Sequence, residues 1–170
     1  MADDDVLPRF CSQCAAPVDQ TEVGGEPVWV CPNCGHREHR RQIVGVAVVV
    51  VEDGRLLMIQ RRYGSLAGAW CIPCGHVGWE EDVREAAVRE LEEETGLVVE
   101  LEGVFDAHTT FISRNRHNAG IWFRGHRVGG TLRAGDDAVD AGFFALDDLP
   151  APLAFDTDVR VIERLRAAEA

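Results

Sequence analysis

Three glutamates spaced for one face of a helix are the residues of this sequence best suited to chemistry. Glu90, Glu93 and Glu94 stand at positions i, i+3 and i+4, so a helix would project their carboxylates within one turn of each other. Two carboxylates about 4 Å apart repel by on the order of 4 kcal/mol at an effective dielectric of about 20. Oxygen ligands of this kind suit Mg²⁺ or Mn²⁺. The alternative is a solvated acidic helix face, which is the usual meaning of a glutamate run.

The neighbouring cation cannot neutralise this cluster by itself. Arg89 is one turn from both Glu85 and Glu93 on a helix, but one guanidinium cannot satisfy three or four acids at once. We therefore expect bound divalent metal to offset the remaining repulsion.

The acidic cluster belongs to a longer pattern of fixed spacing. Five residues separate Gly75 from Glu81, and the segment 89–97 reads RELEEETGL. This pattern resembles the Nudix box, a motif of hydrolases that split diphosphates linked to another moiety with the help of divalent metal. It is matched at Gly75, Glu81, Arg89, Glu90, Glu93, Glu94 and Gly96, with apolar Leu91 and Leu97.

The resemblance implies a role for each matched residue. Glu90, Glu93 and Glu94 would hold two or more Mg²⁺ or Mn²⁺ ions, and Glu93 is a candidate general base. Arg89 would orient the glutamates, and Glu81 would support the loop or a water near the metal. We expect these roles to be performed on a helix that begins near residue 82 and ends at residues 95–96, where glycine permits a left-handed cap.

Two further metal ligands are implied outside the helix. The family often has Pro-Gly-Gly where this chain has Pro-Cys-Gly, and the residue before the box glycine typically offers its backbone carbonyl to a metal. Cys74 is therefore expected to bind metal through its backbone. The family also often has an extra acid outside the box, for which Asp137 or Asp140 is the candidate; a solvated turn is the alternative.

Cys71 and Cys74 form a CxxC pair next to the box. A second zinc site would require two further ligands, and a redox pair would require a different fold context. We expect buried, unreactive cysteines here.

Three residues are candidates for substrate contact. Arg61 and Arg62 could bind phosphates, since arginine suits bidentate phosphate recognition, or could remain in solvent. Trp79 could stack on a base or ring, or pack against its loop or a dimer partner.

The other four cysteines predict a structural zinc site. Two CxxC pairs separated by sixteen residues have the spacing of a four-cysteine zinc ribbon, and four thiolates leave no open coordination position. His36 and His39 are expected on the surface. The ligands are Cys11, Cys14, Cys31 and Cys34.

The composition limits the classes of partner. The chain has 170 residues, 46% of them hydrophobic, and a formal net charge of −12. This charge argues against nonspecific binding to nucleic acid or to an anionic membrane. The ribbon's own basic residues, Arg37, Arg40 and Arg41, do not outweigh it. The acidic start is unlike a signal peptide, and paired cysteines without a secretion signal favour a cytoplasmic protein.

The predicted elements position the acidic helix within a sandwich. Apolar runs predict a hairpin of strands over 43–51 and 56–60, further strands over 97–105, 121–128 and 142–146, and a terminal helix over 156–168. Residues 108–118 are predicted to form a loop that covers substrate. The fold class is α/β (α+β), and the resemblance narrows it to a Nudix sandwich, a mixed sheet between helices. We predict a mobile tail over 1–10, the zinc ribbon over 11–40 and the Nudix domain over 41–170.

Substrate identity is left open by the sequence. A zinc ribbon ahead of a Nudix domain is similar to the arrangement in NADH pyrophosphatases and in shorter pyrophosphatases acting on ADP-ribose or flavin dinucleotide. The Ser-Gln-Pro-Trp-Pro-Phe-Pro-like segment usual in NADH enzymes does not follow Leu97. Nucleoside triphosphates are a further candidate, and a homodimer is left open. Two other classes of function remain: a nucleotide-sensing regulator without turnover, and a zinc-ribbon adaptor.

Overall fold

The computed structural model describes residues 7–39, 42–111 and 117–169. The chain divides into two compact units, which are Met1–Ile43 with Phe111–Asn118, and Val44–Thr110 with Ala119–Ala170. The predicted boundary near residue 40 falls on residues outside the described part, as do Arg40 and Arg41, and the predicted domain limits remain predictions.

The first unit contains a small antiparallel sheet. Its strands are β1 (Asp19–Val23), β2 (Glu26–Val30) and β3 (Arg37–Glu38), in the order β1-β2-β3. Gly24 and Gly25 join the first two strands with positive φ angles of 62° and 85°, a conformation that glycine adopts at little steric cost. Trp29 on β2 is only 3% exposed and supplies much of the apolar content of this unit.

Two similar turns bring four cysteine sulfurs together beside this sheet. The N–H of Ala15 donates to the Cys11 carbonyl, and the N–H of Gly35 donates to the Cys31 carbonyl, both at 2.9 Å. All four sulfurs, including those of Cys14 and Cys34, lie within 4.8 Å of one another. Tetrahedral zinc with Zn–S bonds of about 2.3 Å separates its sulfurs by about 3.8 Å. The cluster therefore fits one closed zinc site.

The second unit is built on a seven-stranded sheet with two helices, one in the middle of the sequence and one near its end. The strand order is β10-β5-β4-β9-β8, with β6 beside β5 and β7 beside β4. The elements in chain order are β4 (Ile43–Glu52), β5 (Arg55–Arg61), β6 (Trp70–Cys71), β7 (Cys74–His76), α1 (Val83–Thr95), β8 (Leu97–Phe111), β9 (His117–Gly130), β10 (Ala138–Ala145) and α2 (Asp156–Glu169).

The apolar run of β4 explains how both sheet faces are covered. Alternate side chains of a strand point to opposite faces. Val46 and Val48 join a core with Leu91 of α1, whereas Ala47 and Val49 join a second core with residues of α2. A strand buried on both faces needs a continuous apolar sequence, which is what residues 43–51 provide. The predicted sandwich, a sheet between helices, is confirmed.

Several predicted elements agree closely with the structure. Asp53 and Gly54 form the predicted hairpin turn, with φ angles of 50° and 71°.

The predicted covering loop over 108–118 is wrong where the structure describes it, since residues 108–111 and 117–118 belong to β8 and β9. Residues 112–116 lie outside the described part. Within the described residues, neither helix is long and apolar enough to cross a membrane.

Removing one ribbon cysteine should remove the zinc. Because a structural site needs all four ligands, Cys31→Ser should reduce bound zinc from about one ion per chain to almost none. Elemental analysis after dialysis measures this ratio, with Cys71→Ser as the matched control because Cys71 lies outside the cluster. Equal zinc in Cys31→Ser and wild type would contradict a four-cysteine site.

Candidate active site

Helix α1 begins and ends close to the predicted limits, and local interactions hold both ends. The Asp82 carboxylate accepts a hydrogen bond from the Arg84 N–H at 2.8 Å and caps the first turn. Gly96 ends the helix with a φ of 67°, and its N–H donates to the Glu92 carbonyl. Ala86 and Ala87 are fully or almost fully buried, and such small residues let the helix approach the sheet closely.

Glu90 lies against the glycine that opens the motif. A Cβ atom added to Gly75 would overlap the Glu90 carboxylate. Any other residue at position 75 would therefore have to displace this carboxylate. The Glu90 side chain thus occupies the space beside Gly75 where β7 passes α1.

Glu94 is a buried carboxylate at the same place. It is 1% exposed, and its Oε2 accepts a hydrogen bond from the Cys74 N–H at 2.8 Å. Burial, together with nearby Cys74 and Asp137, raises the pKa of Glu94 to about 10. A group in this environment keeps its proton at neutral pH unless a cation replaces it.

Arg89 links three of the acids into one network. Its guanidinium donates two bonds to Glu81, at 2.6 and 2.9 Å, and contacts Glu90 and Glu93, each at 2.9 Å. It also donates to the His76 carbonyl at 3.2 Å. The hydrogen bond to Glu81 is the largest cause of a raised Arg89 pKa.

Glu81 faces Arg89 and its own loop. Its Oε2 accepts a hydrogen bond from the Gly78 N–H at 2.8 Å. The Arg89 bonds and this backbone bond lower the pKa of Glu81 to about 2. Glu81 therefore joins the loop before α1 to the residue that contacts the other glutamates.

Carboxylates are the donors expected for a hard divalent cation, but the oxygens of Glu90, Glu93 and Glu94 do not all lie within 4.8 Å of one another. Glu90 and Glu94 approach the backbone of residues 74–75, and Glu93 stays 44% exposed at the edge. Buried carboxylate oxygens with an unfavourable charge fit Mg²⁺ or Mn²⁺. The ligand roles of these residues, and of the Cys74 carbonyl, remain predictions.

The two aspartates predicted outside the helix have different surroundings. Asp137 acts electrostatically on Glu94 and on Arg61, so its carboxylate belongs to the same neighbourhood. Asp140 lies in β10 and its Oδ1 accepts a hydrogen bond from the Ala141 N–H at 2.8 Å. The geometry favours Asp137 as the extra acid.

Arg61 and Arg62 are also distinguished by their contacts. Arg62 donates hydrogen bonds to the backbone carbonyls of Asp136 and Ala138 at 3.2 and 2.6 Å. Its guanidinium therefore stabilises the segment that leads into β10. Arg61 lies over the Phe155 ring at 5.3 Å, and its Nε is buried without a hydrogen-bond partner among the described residues. Sequence reasoning did not identify Phe155, because no local pattern relates it to a strand that precedes it by 94 positions.

Open surface lies next to these groups. Trp79 is 94% exposed, so its indole does not pack against its own loop. A groove of about 800 Å³ runs along the outer side of α1 and includes Arg89 and Glu93. The groove is also lined by Arg84, Glu85, Val88, Glu92, Leu101 and Arg133.

Comparison with known proteins identifies the family. The model of the NUDIX domain matches residues 39–165. An "ADP-ribose pyrophosphatase" of Methanocaldococcus jannaschii is 35% identical over 132 residues, covering 77% of this chain and 78% of the relative. An "NAD-capped RNA hydrolase NudC" of Chromobacterium violaceum is 31% identical, covering 95% of this chain and 61% of the relative. The chain covers 49% of the length of the Pseudomonas aeruginosa protein with the same name.

A solved structure has a similar fold over most of the chain. The crystal structure of a NUDIX hydrolase from Nitrosomonas europaea matches with a TM-score of 0.79 and 23% identity, covering 94% of this chain and 89% of that one. The domain match includes α1, Gly75 and the acidic residues around them. The chain therefore belongs to the Nudix family of hydrolases.

Proposed function

We propose that this chain hydrolyses a phosphoanhydride bond in a nucleoside diphosphate linked to another moiety, with Mg²⁺ or Mn²⁺ as cofactor. The observation that carries the proposal is the convergence of the Glu90 and Glu94 carboxylates on the backbone of residues 74–75. A structural ion-pair network would pair each acid with a base, but Glu94 is buried beside other acidic groups. Its environment favours a bound cation.

Different residues of the chain would have different roles in hydrolysis. Glu90, Glu93, Glu94 and the Cys74 carbonyl would hold the metal, which when bound polarises phosphate oxygens and lowers the pKa of water. Arg89 fixes the orientation of Glu90 and Glu93 through its two contacts. Glu93 is 44% exposed, so it can reach a solvent water and is our candidate for the general base.

Contacts with substrate phosphate are assigned to Arg61. Its guanidinium lies near Asp137 and Cys74, which places a positive charge beside the carboxylates. The Phe155 ring packs against the Arg61 guanidinium and restrains it. The exposed Trp79 indole is suited to stack on a base or another ring of the substrate.

For the substrate, ADP-ribose is our first choice and dinucleotides such as NADH or FAD the next. The choice rests on the Methanocaldococcus relative, which is named as an ADP-ribose pyrophosphatase and matches over 78% of its length. The NudC relatives extend well beyond the matched region, so their capped RNA substrate is a weaker guide. Nucleoside triphosphates are the remaining candidate substrates to be tested.

Hydrolysis should depend on the converging glutamates. With saturating Mg²⁺, Glu93→Gln and Glu94→Gln should each lower turnover of the best substrate by about 100-fold or more, because both remove a charged ligand or base. The measurement is a time course of monophosphate release from ADP-ribose, NADH, FAD and nucleoside triphosphates. The matched control is Glu92→Gln, an exposed acid of the same run. Wild-type rates in both variants, or binding of every ligand without turnover, would refute the proposal.

The buried Glu94 carboxylate should also make the folded chain less stable when no divalent metal is added. The folded chain keeps the Glu94 proton up to about pH 10, while the ordinary value is 4.5. Glu94 therefore does not lower the free energy of unfolding below pH 4.5, where it is protonated in both states. It lowers that free energy progressively as the pH rises from 4.5 towards 10. Glu94→Gln should melt at least about 3 °C above wild type near pH 9, with a smaller gain near pH 5. Thermal unfolding without added divalent metal tests this; a difference independent of pH would contradict it.

Arg61 and Arg62 offer a matched pair for the substrate contact. Arg61→Gln should raise the KM for the substrate about tenfold, since a lost charge-assisted phosphate contact costs about 1.5–3 kcal/mol. Arg62→Gln should leave KM nearly unchanged and lower the melting temperature, because its bonds go to backbone carbonyls. Steady-state kinetics and thermal unfolding of both variants measure the difference. The opposite pattern would assign the phosphate contact to Arg62.

A further inference from the structure

The proposed mechanism leaves unused a buried carboxylate in the first turn of α2. Asp158 is only 2% exposed. Its Oδ2 accepts a hydrogen bond from the Ile72 N–H at 3.1 Å, and its Oδ1 accepts one from the indole Nε1 of Trp122 at 3.3 Å. An ionised carboxylate is expensive to bury, and both of its oxygens are used here as acceptors.

One of these bonds continues a row of backbone contacts that leads towards β7. The Trp70 N–H donates to the Pro152 carbonyl at 2.8 Å, and the Trp70 carbonyl accepts from the Ala154 N–H at 2.7 Å. Two positions later, the Ile72 N–H donates to the Asp158 side chain instead of to a backbone carbonyl. The carboxylate thus provides the acceptor at the point where backbone pairing with this part of the chain ends.

Pro73 gives special weight to the amides on either side of it. Proline has no N–H, so this short stretch offers only the N–H groups of Ile72 and Cys74. The first donates to Asp158, and the second donates to Glu94 at 2.8 Å. Both acceptors are almost completely buried carboxylates. The backbone that enters β7 is therefore held by a carboxylate of α2 on one side of Pro73 and by a carboxylate of α1 on the other.

We propose that Asp158 is a positioning residue, whose carboxylate places the Cys74 backbone against Glu94 by holding the Ile72 N–H. The part of this inference that concerns metal rests on the proposed function, because it takes Glu94 and the Cys74 carbonyl as ligands. Asp158 acts through the backbone and is not itself a ligand. Metal affinity then depends on a residue of α2, although α1 and α2 contribute to different cores of the unit.

The bond from Trp122 explains why an acid is used for this purpose. Trp122 lies in β9 and is 6% exposed, and its indole N–H fixes one oxygen of Asp158 so that the other is directed at Ile72. A carboxylate can accept at both oxygens, whereas an asparagine side chain has one oxygen and an NH₂ group that only donates. Among residues of this shape, only aspartate satisfies both donors.

The alternative is that Asp158 merely stabilises α2. Acids in the first turn of a helix interact favourably with its dipole, and Asp156 lies in the same turn. Asp156 is exposed, so Asp156→Asn removes the same kind of charge from the same turn without altering the contact with Ile72. This variant is the matched control.

Metal binding measured without turnover tests the inference. Leucine has a shape similar to aspartate but accepts no hydrogen bond, so Asp158→Leu should lower the Mn²⁺ affinity about tenfold or more, the usual effect of removing a group that orients ligands. Calorimetry on full-length, zinc-loaded protein measures the affinity, and circular dichroism shows that the variant is folded. Unchanged affinity in folded Asp158→Leu would overturn the inference, as would an equal fall in Asp156→Asn.

A second set of variants separates the acceptor from the charge and replaces Asp158→Leu if that chain does not fold. Asp158→Asn turns an NH₂ group towards one of the two donors, so a smaller fall in Mn²⁺ affinity is expected. Trp122→Phe removes the indole donor and leaves the asparagine oxygen free to accept from Ile72. The double variant should therefore bind Mn²⁺ within about twofold of Trp122→Phe alone. No fall in Asp158→Asn, or no recovery in the double variant, would contradict the inference.

Amide exchange without divalent metal tests the positioning itself. In Asp158→Leu, and less strongly in Asp158→Asn, the N–H groups of Ile72 and Cys74 should both exchange with deuterium faster, by about tenfold in the leucine variant. Nuclear magnetic resonance measures both rates. Faster exchange at Ile72 alone would show that Cys74 is held without Asp158 and would overturn the inference. Failure of the proposed function is distinguishable, because it appears as absent hydrolysis by the wild-type protein whatever the exchange rates.

Discussion

The close approach of α1 to the backbone of β7 is the constraint on which the active-site geometry depends. Glu94 is buried against the Cys74 N–H, and Glu90 occupies the space that a side chain at Gly75 would need. An ionised carboxylate is expensive to bury without a partner. Glu90 is paired with Arg89, whereas the buried Glu94 requires either protonation or a cation, and this requirement connects the fold to the chemistry.

The rest of the second unit keeps these two elements in contact. The apolar run of β4 is buried on both faces, so its alternate residues join one core with α1 and another with α2. β7 pairs with β4 through Gly45 to Ala47, which places the backbone of residues 74–75 directly beside a strand that is buried on both faces. Arg89 then fixes the exposed side of the cluster by linking Glu81, Glu90 and Glu93. A rigid support of this kind is what positions catalytic groups.

Local patterns predict the parts of this arrangement that depend on nearby residues. The caps of α1, the Asp53–Gly54 turn and the register of Glu90 and Glu94 on the helix follow from spacing alone. Long-range contacts do not: Arg61 meets Phe155, and the sequence contains no signal for that pairing. The extension of β8 to Phe111 was missed because its polar residues resemble a loop, although strand pairing can stabilise such a segment.

The distribution of donor atoms explains how one chain can use two kinds of metal. Four thiolates lie together in the first unit, and soft ligands of this type select zinc. The helix of the second unit offers carboxylates, which suit harder cations. Cys71 and Cys74 are the exception, since they bring sulfur next to the carboxylate site. Among the described residues, only the ribbon cysteines form a group of three or more such side chains with ligand atoms within 4.8 Å of one another, so the carboxylates of α1 are spaced more widely than the ribbon thiolates. The thiolates of the ribbon already lie at distances that suit zinc, whereas the carboxylate site that we propose needs its cation to draw the ligands together.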